Sequence, residues 1–280
     1  GRLDITDLGP FAALKDTIAH FVAAPTDRTL AEDLGRRLIP DAMFSTTPDA
    51  LHVMLDGPLL SALPIVALRH DGRPLIAARP VVRAPRISEL ACVPPAAQPH
   101  RAIAVADADG DLPEARSEAV QLAALLPARA EIGSEATSGV VLAATSGDLL
   151  HIAVHADVDD SGGFLKLHDR NLHALEISAH GIGPGLVVLS SCKSAQAKDF
   201  ALVGSLASAF LAGGSAQVVA TLRSVTDRGA REVTAAFYRA GGASDPVRAL
   251  ARAQAQLADS DNPDWPNFAV FGHELCRTKQ

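Results

Sequence analysis

The chain has 280 residues, 48% of them hydrophobic and 20% charged, with a formal net charge of −7. That composition fits one large domain or two small ones with a sizeable core, and argues against disorder over most of the length. The acidic balance, without a basic run or a basic amphipathic helix, speaks against nucleic acid. No stretch approaches the roughly 18 apolar residues of a membrane span.

The three cysteines are Cys92, Cys192 and Cys276. An odd count at wide spacing, without CxxC, argues against a disulfide framework and a cysteine zinc site, and favours a reducing, cytoplasmic setting. The start GRLDITDLGP lacks a signal-peptide pattern. Opening on Gly1, it suggests an upstream part able to carry a partner-binding function.

In chain order, residues 10–24 and then Leu30 to Leu38 read as helices, the second stopped by Pro40. LHVMLDGPL is a short strand entering a turn, and ALPIVALRHDGRPLIAARPVV gives strand-like pieces joined at Asp71-Gly72. The Pro- and Ala-rich run from Ala84 to His100 is the best internal linker. From Arg101 strands and helices alternate. RAIAVAD, ARAEIG, DLLHIAVHAD, GLVVLSSC, QVVATL and NFAVFGH read as strands. PEARSEAVQLAALLP, SEATSGVVLAAT, NLHALEISAH, FALVGSLASAFLAGG, TDRGAREVTAAFYRAGG and SDPVRALARAQAQLA read as helices, the last capped by Ser244 or Asp245 with Pro246 near its first position. The stretch after His155 is expected to be irregular, with DVDDSGG (157–163) mobile. Continuously apolar strands alternating with helices predict a three-layer α/β domain with a largely parallel sheet. The expected division is a helical lead-in (1–34), an N-terminal part (35–100) and a core (101–280).

In such sheets the reactive groups lie beyond the carboxyl ends of the strands. LLHIAVHAD ends at His155 and GLVVLSSC at Cys192, separated by enough chain for one crossover. If the two strands are neighbours, about 4.8 Å apart, imidazole and thiol share one rim, where the ring can deprotonate the sulfur. The alternative is a buried thiol behaving as a small hydrophobe beside a hydrogen-bonded histidine. A metal site is the competitor, because His151, His155, His168, His173 and His180 crowd one region. His151 and His155 on a strand stand roughly 13 Å apart, too far to share an ion; His168, His173 and His180 remain as a possible zinc set, and no metal or cofactor is expected. Ser190 and Ser191 lie in no G-x-S-x-G elbow, and AGGSAQ and GIGPG lack the form of phosphate loops.

LLHIAVHAD, FLKLHDRNLHALEI, GLVVLSSCKSAQ, LVGSLASAFLAGGSAQVVATLRSVTD and the terminal PNFAVFGH, in that order, resemble the CHAT domain. This is a caspase-like cysteine peptidase family of clan CD, related to separase and the caspases. PDALHVMLDGPLLSALPIVAL resembles that domain's lead-in, so the likeness spans about residues 35–275. The resemblance implies a caspase-type α/β sheet and a His155–Cys192 dyad working through an acyl-enzyme, with the backbone N–H groups of Ala156 and Cys192 as oxyanion hole. It implies a protein or peptide substrate, a regulatory partner or upstream repeat region, and often a role in bacterial defence. Three departures from the family pattern stand out. Ala156 replaces the usual Gly, Lys193-Ser194 the usual Glu-Thr, and Arg223 the usual Trp. Arg223 in the loop after the next strand would favour an acidic residue before the cut, whereas Asp157, Asp159 and Asp160 would favour a basic one; Ser190 is a further substrate-side candidate. The rival reading is a catalytically inactive CHAT-like protein-binding module.

Overall fold

The computed structural model describes residues 5–45, 47, 49–55, 57–85, 99, 101–181, 183–192, 194–196 and 204–272. Cys92, Cys276, Lys193 and most of the expected 84–100 linker lie outside these residues.

Eight strands form one sheet. A parallel block holds β5 (Arg101–Ala106), β6 (Ala128–Ile132), β7 (Asp148–Ala153), β11 (Leu186–Leu189) and β12 (Gln217–Thr221), in the spatial order β6-β5-β7-β11-β12. β13 (Phe268–Gly272) pairs antiparallel with β12, and β4 (Val81–Arg83) and β1 (Leu51–Val53) follow it, parallel to one another. The sheet therefore runs across residue 100, binding the 35–100 segment to the core. Buried Arg83 reinforces the join: it donates to the carbonyls of Ser61 (2.7 Å) and Leu63, with its guanidinium 6.0 Å from the Phe271 ring centre.

Two cores lie on the two faces, and strand alternation divides the residues between them. Ala102, Ala104, Leu149, Ala153, Leu186 and Val188 face α1 (Ala12–Ala23), α2 (Arg28–Leu38), α5 (Pro113–Leu125), α9 (Asp227–Arg239) and α10 (Pro246–Leu257). Ile103, Val105, Leu150, Ile152, Val187 and Leu189 face α6 (Ser138–Leu142), α7 (Ala174–His180) and α8 (Leu206–Ala212). This is the three-layer α/β arrangement that the strand and helix alternation predicts. α2 runs across residue 34, so the lead-in packs onto the body; Gly35 lies so close to the Arg69 backbone that a Cβ would meet its carbonyl oxygen at 2.0 Å. No helix among the described residues is long and apolar enough to cross a membrane.

Helix starts follow the sequence signals. Asp27 caps α2 through the N–H groups of Thr29 and Leu30, and Asp245, rather than Ser244, caps α10 with Pro246 in its first turn. Other elements differ from expectation. SEATSGVVLAAT yields a 3-10 turn and then the short α6, because Asp169 takes both the N–H (2.8 Å) and the hydroxyl (2.6 Å) of Ser138 and fixes a break there. The strand-like 62–82 stretch, which follows the short α3 (Pro58–Ser61), contains a hairpin of β2 (Arg69–His70) and β3 (Arg73–Pro74) about Asp71 and Gly72, both at positive φ, and the helical turn α4 (Leu75–Ala78). The expected irregular region between DLLHIAVHAD and NLHALEISAH, together with the end of that expected strand and the start of that expected helix, is a three-stranded antiparallel sheet of β8 (Ala156–Asp159), β9 (Gly162–Lys166) and β10 (Asn171–His173). DVDDSGG forms its first hairpin, turning at Asp160 and Ser161, with Gly162 at φ +112 opening β9.

Candidate active site

β7 and β11 are parallel neighbours with Ile152 opposite Leu189. His155 and Cys192 stand equally far past that pair, so the register carries both to the carboxyl rim of the parallel block, where open α/β sheets place their reactive groups.

Short hydrogen bonds stitch these chain ends together. The Ser190 N–H donates to the Ile152 carbonyl at 2.8 Å. The Ser191 hydroxyl donates to the same carbonyl at 3.3 Å and accepts from the Val154 N–H at 3.4 Å. The residue before the cysteine thus clasps the residue before the histidine. On the other flank Thr221, ending β12, donates its hydroxyl to the Ser191 carbonyl, and its N–H reaches the Ser194 hydroxyl at 2.8 Å. The half-buried Cys192 thiol donates to the Val225 carbonyl at 3.4 Å. Thr226, next in that loop, caps α9 and sends its N–H (3.0 Å) and hydroxyl (2.6 Å) to Asp264. Gly229 permits this close packing, since a Cβ there would lie 2.1 Å from the Asp264 carboxylate.

His155 is 41% exposed and its Nε2 lies 2.9 and 3.0 Å from the two carboxylate oxygens of Asp111. That hydrogen bond, and then the ring's charge, hold Asp111 below the usual carboxylate range. Asp111 arrives on the loop after β5, the other neighbour of β7. The loop is set by Asp107, which adopts φ 50, accepts the Leu112 N–H at 2.8 Å and pairs with Arg116 at 2.8 Å. Asp109, from the same loop, pairs with Lys166 at 2.8 Å. Sequence reasoning missed Asp111. Its signal is the acidic ADADGD directly after a strand, at the same rim as His155 and Cys192.

No hydrogen bond joins His155 to Cys192. With Nε2 engaged by Asp111, no described residue bonds His155 Nδ1. Ala156 opens β8 opposite Leu165, while the His155 carbonyl accepts from the Lys166 N–H at 2.8 Å. Hydrogen-bonded and non-hydrogen-bonded pairs alternate in an antiparallel ladder. The Ala156 N–H therefore points away from β9, toward the open edge of the small sheet. Ala156 is not among the positive-φ residues, so its Cβ imposes no backbone strain.

Arg223 is half-buried in the loop that meets the thiol, and burial pushes its guanidinium below its usual range despite nearby Asp264. It makes no salt bridge among the described residues. Asp157 is exposed on β8 and accepts the Val158 N–H; Asp159 pairs with His173 at 3.0 Å. Asp160 is exposed in the β8–β9 turn. Ser190 is 9% exposed, its hydroxyl turned inward to Glu118 of α5 at 3.0 Å. The histidines of the possible zinc set are spread out. His168 contacts the Ala108 carbonyl at 3.3 Å, His173 takes Asp159, and His180 ends α7. Asp109, Asp111 and His155 bring ligand atoms within 4.8 Å of one another, a proximity their ion pairs already account for.

A family model for the CHAT domain matches residues 26–273. No curated protein sequence matches. Among solved structures, the Saccharomyces cerevisiae separase–securin complex aligns at TM-score 0.55 and 14% identity, covering 81% of this chain and 16% of that one. The Arg-specific cysteine proteinase gingipain R aligns at TM-score 0.55 and 10% identity, covering 96% and 76%. The complex of Porphyromonas gingivalis RgpB pro- and mature domains aligns at 0.52 and 9%, covering 94% and 76%. The chain thus spans a small fraction of separase and most of the gingipain chains. With its sheet order, layers and family match in agreement, the chain belongs to the CHAT domain family and has the caspase-like fold of the clan CD cysteine peptidases.

Proposed function

We propose that this protein is a cysteine endopeptidase that cuts a specific protein partner, with Cys192 as nucleophile and His155 as its base. The observation that carries this reading is the register of β7 and β11, which delivers both residues to one rim. Asp111 is the positioning residue. By accepting from Nε2–H it fixes the tautomer that leaves Nδ1 as the acceptor for the thiol proton. For the proton transfer the Cys192 thiol leaves the Val225 carbonyl, its partner at rest, and turns to that nitrogen. The thiolate attacks the scissile carbonyl carbon, and the oxyanion is held by the N–H groups of Ala156 and Cys192, where one such donor is worth about 3 kcal/mol. The C–N bond breaks as His155 returns its proton to the amine. His155 then activates a water that hydrolyses the thioester, restoring the thiol. The chemistry needs a reduced thiol, as the cytoplasm provides.

The charges round the cleft support a preference. Asp111 is taken by His155, Asp109 by Lys166 and Asp159 by His173. Arg223 is half-buried beside the thiol and makes no salt bridge among the described residues. We therefore assign Arg223 to an acidic substrate residue before the cut. That one structural relative is a complex of separase with securin supports a dedicated protein partner.

A second reading has its own observation: imidazole and thiol each hold another partner at rest, as a non-catalytic partner-binding module would allow. One experiment separates them. Wild type, Cys192→Ala and His155→Ala are incubated with a peptide library and candidate protein partners. Cleavage by wild type alone, enriched after Asp or Glu and redirected in Arg223→Glu, supports the peptidase. Partner capture by all three without cleavage supports the module.

A further inference from the structure

Behind the nucleophile, on the α5 and α9 side of the sheet, lies a buried polar cluster that the proposed reaction does not use. Its centre is Glu118 of α5, 5% exposed. One carboxylate oxygen accepts from the Ser190 hydroxyl at 3.0 Å and from the Thr234 hydroxyl of α9. The other lies 3.3 Å from Nε2 of His151, a β7 side chain with no exposure. Nδ1 of His151 lies 2.9 Å from the Tyr238 hydroxyl. Burial, and then the charge of Glu118, push the Tyr238 phenol well above its usual range, so it stays protonated and donates to Nδ1. His151 then donates from Nε2 to Glu118. Every donor in the chain has its acceptor, and the carboxylate collects three donors from three elements: β7, the end of β11 and α9.

Ser190 connects this cluster to the site. It is the first residue beyond β11, followed by Ser191 and Cys192. Its N–H is held by Ile152 of β7 and its hydroxyl by Glu118, while Thr221 holds the Ser191 carbonyl from the other flank. The backbone leading to the sulfur is therefore gripped from both sides. An unpaired carboxylate at this depth would be costly, so it has reason to keep Ser190 in place.

We propose that Glu118 is a positioning residue for the nucleophile: through Ser190 it fixes the strand end that presents Cys192 to His155. This rests on Cys192 being the nucleophile, and the test tells the two apart. The probe is iodoacetamide, which needs no substrate. The rate of Cys192 carbamidomethylation in the full chain is followed by peptide mass spectrometry across pH, with folding checked by circular dichroism and thermal melting. Wild type is compared with Glu118→Leu, Glu118→Gln, Ser190→Ala and His155→Ala.

Glu118→Leu and Ser190→Ala are expected to slow the reaction at pH 7 about tenfold or more, the scale on which displacing a reacting group is felt, and to move the pH–rate profile to higher pH. Glu118→Gln keeps an acceptor for Ser190 and Thr234 and should recover most of the rate. Should Glu118→Leu not fold, Ser190→Ala and Glu118→Gln carry the test. A folded Ser190→Ala reacting at the wild-type rate with an unshifted profile overturns the proposal. If His155→Ala also leaves the rate unchanged, the dyad reading has failed; if His155→Ala slows it, only the positioning role has.

Discussion

His151 and His155 belong to the same stretch of chain and live in two different regions. His151 lies within β7, on the alternation that faces α5 and α9, and is wholly buried among Glu118 and Tyr238. His155 lies past the strand end, partly exposed, with one nitrogen on Asp111 and the other unbonded by any described residue. The interior cluster closes on itself, each donor matched by an acceptor. The rim around the dyad is left incomplete: among the described residues His155 Nδ1 has no hydrogen-bond partner and Arg223 no salt bridge, and the Ala156 N–H points outward. Closure suits rigidity, and incompleteness suits a substrate. The two regions meet at Ser190, whose hydroxyl joins the interior cluster and whose chain leads through Ser191 to Cys192.

The comparison breaks most sharply under paired substitutions. His155→Ala should lower peptide cleavage by about 10²–10⁴-fold, the usual worth of a general base, yet shift stability in urea by no more than about 0.5 kcal/mol, as for other surface changes. His151→Ala should do the reverse in the unfolding measurement, costing about 3 kcal/mol because it strips a partner from a buried carboxylate. Equal stability losses in the two variants would erase the distinction.

Asp111 sharpens it further through pH. Its folded value is depressed by the His155 hydrogen bond, so the pair is fully present above the ordinary carboxylate value of about 3.9. It is lost as pH falls through the lower folded value. Carboxylate NMR should show Asp111 titrating below that ordinary value in wild type and returning to it in His155→Ala; an unchanged titration would mean the pair does not form. The smallest effect is expected from Thr234→Val, which removes one of three donors to Glu118. It should cost about 1 kcal/mol in urea unfolding and leave the Asp111 titration untouched.

Much of this was legible in the residues. The strands of the parallel block are nearly unbroken apolar runs, and β7 and β11 are each followed within three residues by a residue capable of chemistry, His155 and Cys192, which a rule about sheet rims could find. The β8–β10 sheet was not legible, because Gly162, Gly163 and the aspartates around them read as loop, and the strands are made by pairing rather than by local propensity. The order β6-β5-β7 could not be read either, and without it nothing brings Asp111 to His155. Glu118 left a trace that went unread: it shares the buried face of α5 with Ala115, Ala119 and Leu122. A carboxylate on an apolar stripe calls for a partner, and the buried His151 on an apolar strand was waiting to be matched with it.

The central claim is that Cys192 is a nucleophile made reactive by His155. Its most direct test is intact-mass and peptide-mapping spectrometry of the full chain treated with peptidyl acyloxymethyl ketones, one set ending in Asp and one in Arg. A single covalent adduct on Cys192 is expected, faster with the Asp probes and strongly reduced in His155→Ala. An absence of adduct at Cys192, or an adduct formed equally well without His155, would contradict it.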